Sequence, residues 1–225
     1  MSNYKLTKDA GDSSERRIVL LGKTGDGRSS TGNTILGGGN FEEGISPSSV
    51  TSKSENKTSQ VNGRPVTVID TPGFFDTELS DEEMKREILR CISLSAPGPH
   101  AFLLVIKLDR YTEEKKEAMK KVDKLFGVEA LRFTIVLFTS GDNLNNKSVQ
   151  QFIELNSDLK NFVQKCGGGY HVFNNRNRSD CSQVTELLEK IDKMVEKNGG
   201  NCYTNEMYEL TEQALRQEEE RELKK

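Results

Sequence analysis

Ile18-Val-Leu-Leu-Gly-Lys-Thr-Gly-Asp-Gly-Arg-Ser-Ser30 decides how this chain folds. An apolar run of β type passes into a glycine-rich turn, and the turn passes into Ser-Ser-Thr, residues that start helices. The frame is G-x-x-x-x-G-K-[ST], with Gly22 first, Gly27 sixth and Ser29 last. Its seventh position, where lysine is usual, holds Arg28.

The chemistry of such a turn is specific. Glycines 22, 25 and 27 let the backbone aim its N–H groups inward at a polyphosphate, and the following helix points its positive end at the same place. Gly22, Lys23, Thr24, Gly25, Asp26, Gly27, Arg28, Ser29 and Ser30 are therefore candidate phosphate-binding residues. Ser29 offers a hydroxyl to a Mg²⁺ bridging the β- and γ-phosphates. A lysine would place one compact charge in the loop; an arginine is a bulkier, planar fork. A plain strand-to-helix turn is the competing reading, and the preceding strand Arg17-Ile-Val-Leu-Leu21 weighs against it.

Outward from this loop, apolar strand-like segments recur at 16–21, 65–70, 101–106, 132–139 and 170–174, with helical patterns between them. The alternation predicts an α/β fold of the P-loop NTPase kind: a doubly wound, mostly parallel sheet of about six strands with helices on both faces. Ser80-x-x-Glu83 and Ser148-x-x-Gln151 are capping boxes that open helices. The segment Thr112–Phe126 carries Ala118, Met119, Val122, Leu125 and Phe126 at helical spacing. Val184, Leu187, Leu188, Ile191, Met194 and Val195 form a stripe that docks a late helix on the sheet. The expected division is a flexible polar N-terminus over 1–15, the domain over 16–200, and a charged helical extension over 201–225.

Composition narrows the function classes. The 225 residues carry a net charge of −3 with 30% charged side chains, both signs mixed, so the basic footprint of a nucleic-acid binder is missing. Cysteines 91, 166, 181 and 202 are scattered without a C-x-x-C pair, which argues for free thiols and against a zinc site. No signal peptide or membrane span is recognisable, so the expected location is cytoplasmic. Association with an intracellular membrane would need an anchor outside these residues.

Val66-Thr-Val-Ile-Asp-Thr-Pro-Gly73 is a strand ending in D-x-x-G. Asp70 at its end can hold Mg²⁺ through a water, and Gly73 can swing its N–H onto a γ-phosphate. The hydroxyl-rich loop Phe41–Lys53 lies between the two motifs, and Thr51 is its candidate for closing over Mg²⁺. Ser46, Ser48, Ser49 and Ser52 compete with it on spacing. Val136-Leu-Phe-Thr-Ser-Gly-Asp142 ends in T-x-x-D, where Asp142 can accept from the ring N–H and amino group of guanine but not of adenine. Asn174 and Asn175, after the strand Tyr170–Phe173, are candidates for a second wall of a base pocket. Phe74 follows D-x-x-G where a water-orienting glutamine would sit, which predicts slow unaided hydrolysis.

These motifs resemble the immunity-associated GTPase family (GIMAP, with an AIG1-type G domain). The likeness rests on G-K-T-G-D-G-R-S-S-T-G-N-T-I-L-G, D-T-P-G-F-F-D-T, T-S-G-D and the box Gly98-Pro-His-Ala-Phe-Leu-Leu-Val-Ile-Lys-Leu-Asp-Arg-Tyr-Thr112, over about residues 16–200. It implies a domain that binds GTP or GDP with Mg²⁺ and forms a nucleotide-dependent homodimer or higher oligomer. It also makes Arg110 a candidate to reach a partner's phosphates, with Arg110 and Thr51 the catalytic pair. Three expectations follow: a switch with slow, dimerisation-dependent GTP hydrolysis; a nucleotide-binding scaffold that Arg28 leaves with little or no catalysis; and an ATPase if Asp142 does not read guanine.

Overall fold

The computed structural model describes residues 14–43, 53–73, 80–109, 112–144 and 148–222. Among them, β1 Arg16–Gly22, β2 Glu55–Val61, β3 Arg64–Asp70, β4 Ala101–Lys107, β5 Thr134–Thr139 and β6 Tyr170–Val172 form one six-stranded sheet in the order β2-β3-β1-β4-β5-β6. Every pairing is parallel except that of β2 with β3. The helices are α1 Arg28–Leu36, α2 Asp81–Ser95, α3 Glu113–Phe126, α4 Val149–Glu154, α5 Ser157–Lys165, α6 Ser182–Lys197 and α7 Glu206–Glu222.

The central strands are apolar along their whole length because both faces are covered. In β4, Phe102, Leu104 and Ile106 enter a core built with α2, α3, α4, α5 and the start of α7. Ala101, Leu103 and Val105 enter the opposite core with α1 and α6. This is the period of two expected of a strand between two helical layers. The edge strand β2, Glu-Asn-Lys-Thr-Ser-Gln-Val, alternates half-buried and exposed positions. Its polarity explains why apolar runs alone reveal five strands and miss this sixth.

Most boundaries fall where local chemistry places them. Ser80 and Ser148 each accept the N–H of the residue three on, whose side chain returns the bond. The fifth strand starts at Thr134 instead of 132, because Val128–Phe133 is a 3-10 helix opened by Gly127 at φ 88°. The C-terminal segment packs through Tyr203 and Tyr208, 3% and 0% exposed, whereas Met207 and Leu210 on the same helix face solvent.

The chain turns from β1 toward β3 and from β4 toward β5, so the two sides of the sheet diverge at the C-terminal ends of β1 and β4. Ligands of doubly wound folds bind in the crevice at such a switch point.

Candidate functional site

The phosphate loop rises from the end of β1 at this crevice. Gly25 and Gly27 take φ 86° and 91°, conformations that only glycine enters freely. Gly22 is required for a different reason: a Cβ there would lie 2.7 Å from the Val105 carbonyl oxygen and 3.4 Å from the Arg28 stem. Lys23 and Thr24 form the outer tip, and the Asp26 N–H closes the turn on the Lys23 carbonyl at 3.3 Å. Thr139, first residue of T-x-x-D, donates its hydroxyl to the Asp26 carbonyl at 2.7 Å and so binds the loop to β5.

Asp26 itself is buried, and burial pushes its carboxyl up to about 6. Lys115 opposes that rise and Asp109 adds to it. Lys115 is buried too; its ammonium donates to the Lys107 carbonyl at 2.8 Å and to the Asp109 carboxylate. Lys115 thus ties α3 to the end of β4, and its charge acts electrostatically on Asp26 in the loop, while Asp109 itself is exposed.

Arg28 is 6% exposed, its stem crosses Gly22, and its guanidinium donates to the Thr71 carbonyl inside the D-x-x-G run. Ser29 donates from Oγ to Asp70 Oδ2 at 2.6 Å. The first and second motifs thus meet directly, with two hard oxygen donors side by side. Gly73 is buried just beyond β3. Thr51, Phe74 and Arg110 lie outside the described residues, as do Ser46, Ser48, Ser49 and Ser52.

The start of the loop before Thr51 is held by Glu43. Its carboxylate accepts from Ser30 Oγ at 2.7 Å, from Arg178 at 2.5 Å and from Asn33. Burial alone would raise that carboxyl, but these three donors outweigh it and hold it below its ordinary value. Asn33 also accepts the Asn40 and Phe41 N–H groups at 2.8 and 2.7 Å.

On the far side, Asp142 sits exposed in a short 3-10 turn after β5, preceded by Ser140 at φ 59°. Asn174 and Asn175 arrive there, but their side chains serve the protein. Asn175 accepts from Thr34 Oγ1 at 2.8 Å and donates to Thr31 Oγ1 at 3.2 Å, both on α1. Asn174 Oδ1 accepts the Arg176 N–H at 3.0 Å. The side chain that meets Asp142 is Arg176, whose Nη1 donates to Oδ2 at 2.9 Å. Sequence motifs overlooked Arg176, Glu43, Lys115 and Gln183; only the two arginines flanking the asparagines in Asn174-Asn-Arg-Asn-Arg178 carried a visible signal.

Both histidines are structural. His100 Nδ1 accepts the Arg17 N–H at 2.9 Å, and burial followed by Arg17 pushes its pKa down to about 3. The His171 Nε2 lies 2.8 Å from the Gln183 carbonyl oxygen. Among the described residues no group of three or more His, Cys, Asp or Glu side chains is placed to hold a metal ion, and no helix is long and apolar enough to cross a membrane.

The chain is similar to several known proteins. It is 41% identical over 195 residues to human GTPase IMAP family member 8, covering 85% of this chain and 29% of that protein. Immune-associated nucleotide-binding protein 9 of Arabidopsis thaliana is 35% identical over 211 residues, covering 90% of this chain and 62% of the relative. The chain thus spans less than two thirds of either relative. Toc33 from Arabidopsis thaliana in complex with GDP and Mg²⁺ superposes with a TM-score of 0.62 at 18% identity, over 80% of this chain and 84% of that one. Dimerization is important for the GTPase activity of the chloroplast translocon components atToc33 and psToc159, a structure of the same fold at TM-score 0.62. The fold is thus that of a P-loop GTPase G domain. The AIG1 family model matches residues 16–222, and with the sequence identities it shows that this chain belongs to the AIG1 family.

Proposed function

We propose that the chain is a guanine-nucleotide-binding switch whose nucleotide state governs its own association, with slow GTP hydrolysis that a second copy accelerates. The observation that carries this reading is the convergence at the C-terminal ends of the inner parallel strands of a glycine loop with two positive-φ glycines, the Ser29–Asp70 contact and Asp142. Residues 22–30 would hold the phosphates, Gly73 would sense the γ-phosphate, and Asp142 would accept from the base, with Asn174 and Asn175 behind it. Residues 16–200 would form the nucleotide domain and 201–225 its extension. Support also comes from the names of the relatives and from the GDP and Mg²⁺ bound to Toc33.

Ser29 and Asp70 fit Mg²⁺, since both are oxygen donors and their oxygens lie 2.6 Å apart at the foot of the loop. Thr51 would complete the set. The ion, when bound, neutralises charge on the β- and γ-phosphates. Arg110 would approach a partner's phosphates in the dimer.

A second reading is favoured by Arg28. Its guanidinium bonds the Thr71 carbonyl, so the loop's own cation is committed to the D-x-x-G strand end. The chain would then bind nucleotide and act as a scaffold with little turnover.

Titration of GTP, GDP and ATP with Mg²⁺, paired with phosphate release, separates these readings. Guanine nucleotides are expected to bind tighter than ATP, and Asp142→Ala to abolish that preference. Equal affinity for ATP, or indifference to Asp142→Ala, would leave an ATPase or no base reading. Arg28→Lys is expected to raise affinity and turnover together; unchanged values would show that the loop works equally well with arginine.

A further inference from the structure

We propose that Arg176 is a specificity-determining residue of this site, its guanidinium reading the O6 edge of a guanine whose N1–H and 2-amino group are held by Asp142. This rests on the guanine-nucleotide reading above and adds to it the donor that the base still needs. A carboxylate satisfies only the donor groups of guanine; O6 and N7 are acceptors and require N–H groups opposite them. Thr139, which opens T-x-x-D, is 3% exposed and commits its hydroxyl to the Asp26 carbonyl. Arg176 stands with Nη1 2.9 Å from Asp142 Oδ2, which puts its fork beside the carboxylate the base would engage.

Neither partner is exhausted by that ion pair. A guanidinium has five N–H donors and a carboxylate about four acceptor sites, so Asp142 retains capacity for N1–H and the 2-amino group. Arginine bonding O6 and N7 through two donors is the commonest specific protein contact to guanine in nucleic acids. Adenine presents an amino group where guanine has O6, and it lacks the N1–H. It is therefore mismatched to Arg176 and to Asp142 at once.

The loop that carries Arg176 is built, while the side chain itself remains open to a ligand at 86% exposure. Gln183 of α6, 8% exposed, accepts the Asn174 N–H at 3.0 Å and donates to the Asn177 carbonyl at 3.0 Å. The Arg176 N–H is held by Asn174, and Arg178 two residues on is tied to Glu43. The backbone on both sides of Arg176 is thus fixed against α6 and the loop after α1. A fixed root with an exposed fork that keeps donors beyond its bond to Asp142 suits recognition, because little backbone entropy is lost when the base arrives.

The test is calorimetric titration of the chain with GDP, IDP and 6-thio-GDP in Mg²⁺, for wild type, Arg176→Ala and Arg176→Lys. IDP lacks the 2-amino group and reports on Asp142; 6-thio-GDP replaces O6 by a weaker acceptor and reports on Arg176. Arg176→Ala is expected to weaken GDP binding about tenfold, to bring the GDP to 6-thio-GDP ratio close to one, and to leave the GDP to IDP ratio unchanged. Arg176→Lys, keeping a donor but not the fork, should fall between. A GDP to 6-thio-GDP ratio that survives in Arg176→Ala overturns the proposal. A change confined to the GDP to IDP ratio also overturns it, because Arg176 would then only orient Asp142. Failure of the wild type to bind GDP at all would instead remove the guanine reading on which it rests.

Discussion

Asp26 lies between two left-handed glycines, Gly25 and Gly27, at 9% exposure, where an ionised carboxylate loses hydration. Burial raises its pKa from 3.8 to about 6, against the pull of Lys115. The folded chain therefore holds this proton more tightly than the unfolded one. The associated stability is present in full at low pH and is lost as pH rises from near 4 through 6. A two-unit shift corresponds to about 3 kcal/mol. Asp26→Asn, which removes the charge, should match wild type near pH 4 and exceed it by up to about 3 kcal/mol above pH 7. Urea unfolding of both proteins at pH 4.5 and 7.5 checks this. Comparison at matched pH cancels His100, whose depressed pKa costs stability only as pH falls. A variant no more stable than wild type at pH 7.5 would show that Lys115 fully compensates the buried carboxylate.

The segment joining α6 to α7 shows how an element is held by a few contacts. Tyr203 packs edge-on to Phe102 and Phe133 with ring centroids 5.4 and 5.6 Å apart, and its N–H donates to the Pro99 carbonyl at 2.8 Å. Tyr208 is fully buried against Tyr203, with its hydroxyl 2.9 Å from Ser95 Oγ on α2. Burial holds its phenol well above the ordinary pKa, so the hydroxyl stays protonated as a hydrogen-bonding group. Tyr208→Ala is expected to cost about 3–5 kcal/mol as a cavity opens between α2 and α7. Tyr208→Phe should cost only about 1 kcal/mol, since Ser95 keeps its bond to the Cys91 carbonyl at 2.7 Å. Gly98 sets the closeness of this approach: a Cβ there would sit 1.8 Å from the Tyr203 carbonyl oxygen. Gly98→Ala should therefore detach the segment, read as faster hydrogen exchange across 203–210 with the sheet unaffected. Exchange unchanged in that variant would mean that the backbone can yield at Tyr203.

For the whole molecule, the expected behaviour follows from the proposed dimerising switch. Phe74 stands where a water-orienting side chain would help hydrolysis, and the Arg28 guanidinium is engaged with Thr71. If a second copy supplies the missing cation through Arg110, turnover per molecule should rise with protein concentration, and Arg110→Ala should flatten that rise while leaving GDP affinity intact. Phosphate release measured across a wide concentration range decides the matter. A flat turnover number would favour the scaffold reading instead.

Local chemistry alone determined most of the frame. The glycine spacing of 22–27, the apolar runs of β1, β3, β4 and β5 and the two serine capping boxes all act through neighbours in the chain, so their effects are written in order along it. The places of Gly22 and Asp70 at strand ends, and of Asp142 in the 3-10 turn after β5, follow from the same short-range pattern. The polar strand β2 was not legible, because its place depends on the edge that β3 offers it. The contacts of Arg28 with Thr71, Ser29 with Asp70, Glu43 with Arg178 and Arg176 with Asp142 join residues 34 to 135 positions apart. Sequence separation carries no information about such pairs, and only sheet order brings the strand ends together. The glycine loop was thus set by its own residues, whereas the direction of Arg28 and the side chain beside Asp142 were decided by tertiary packing.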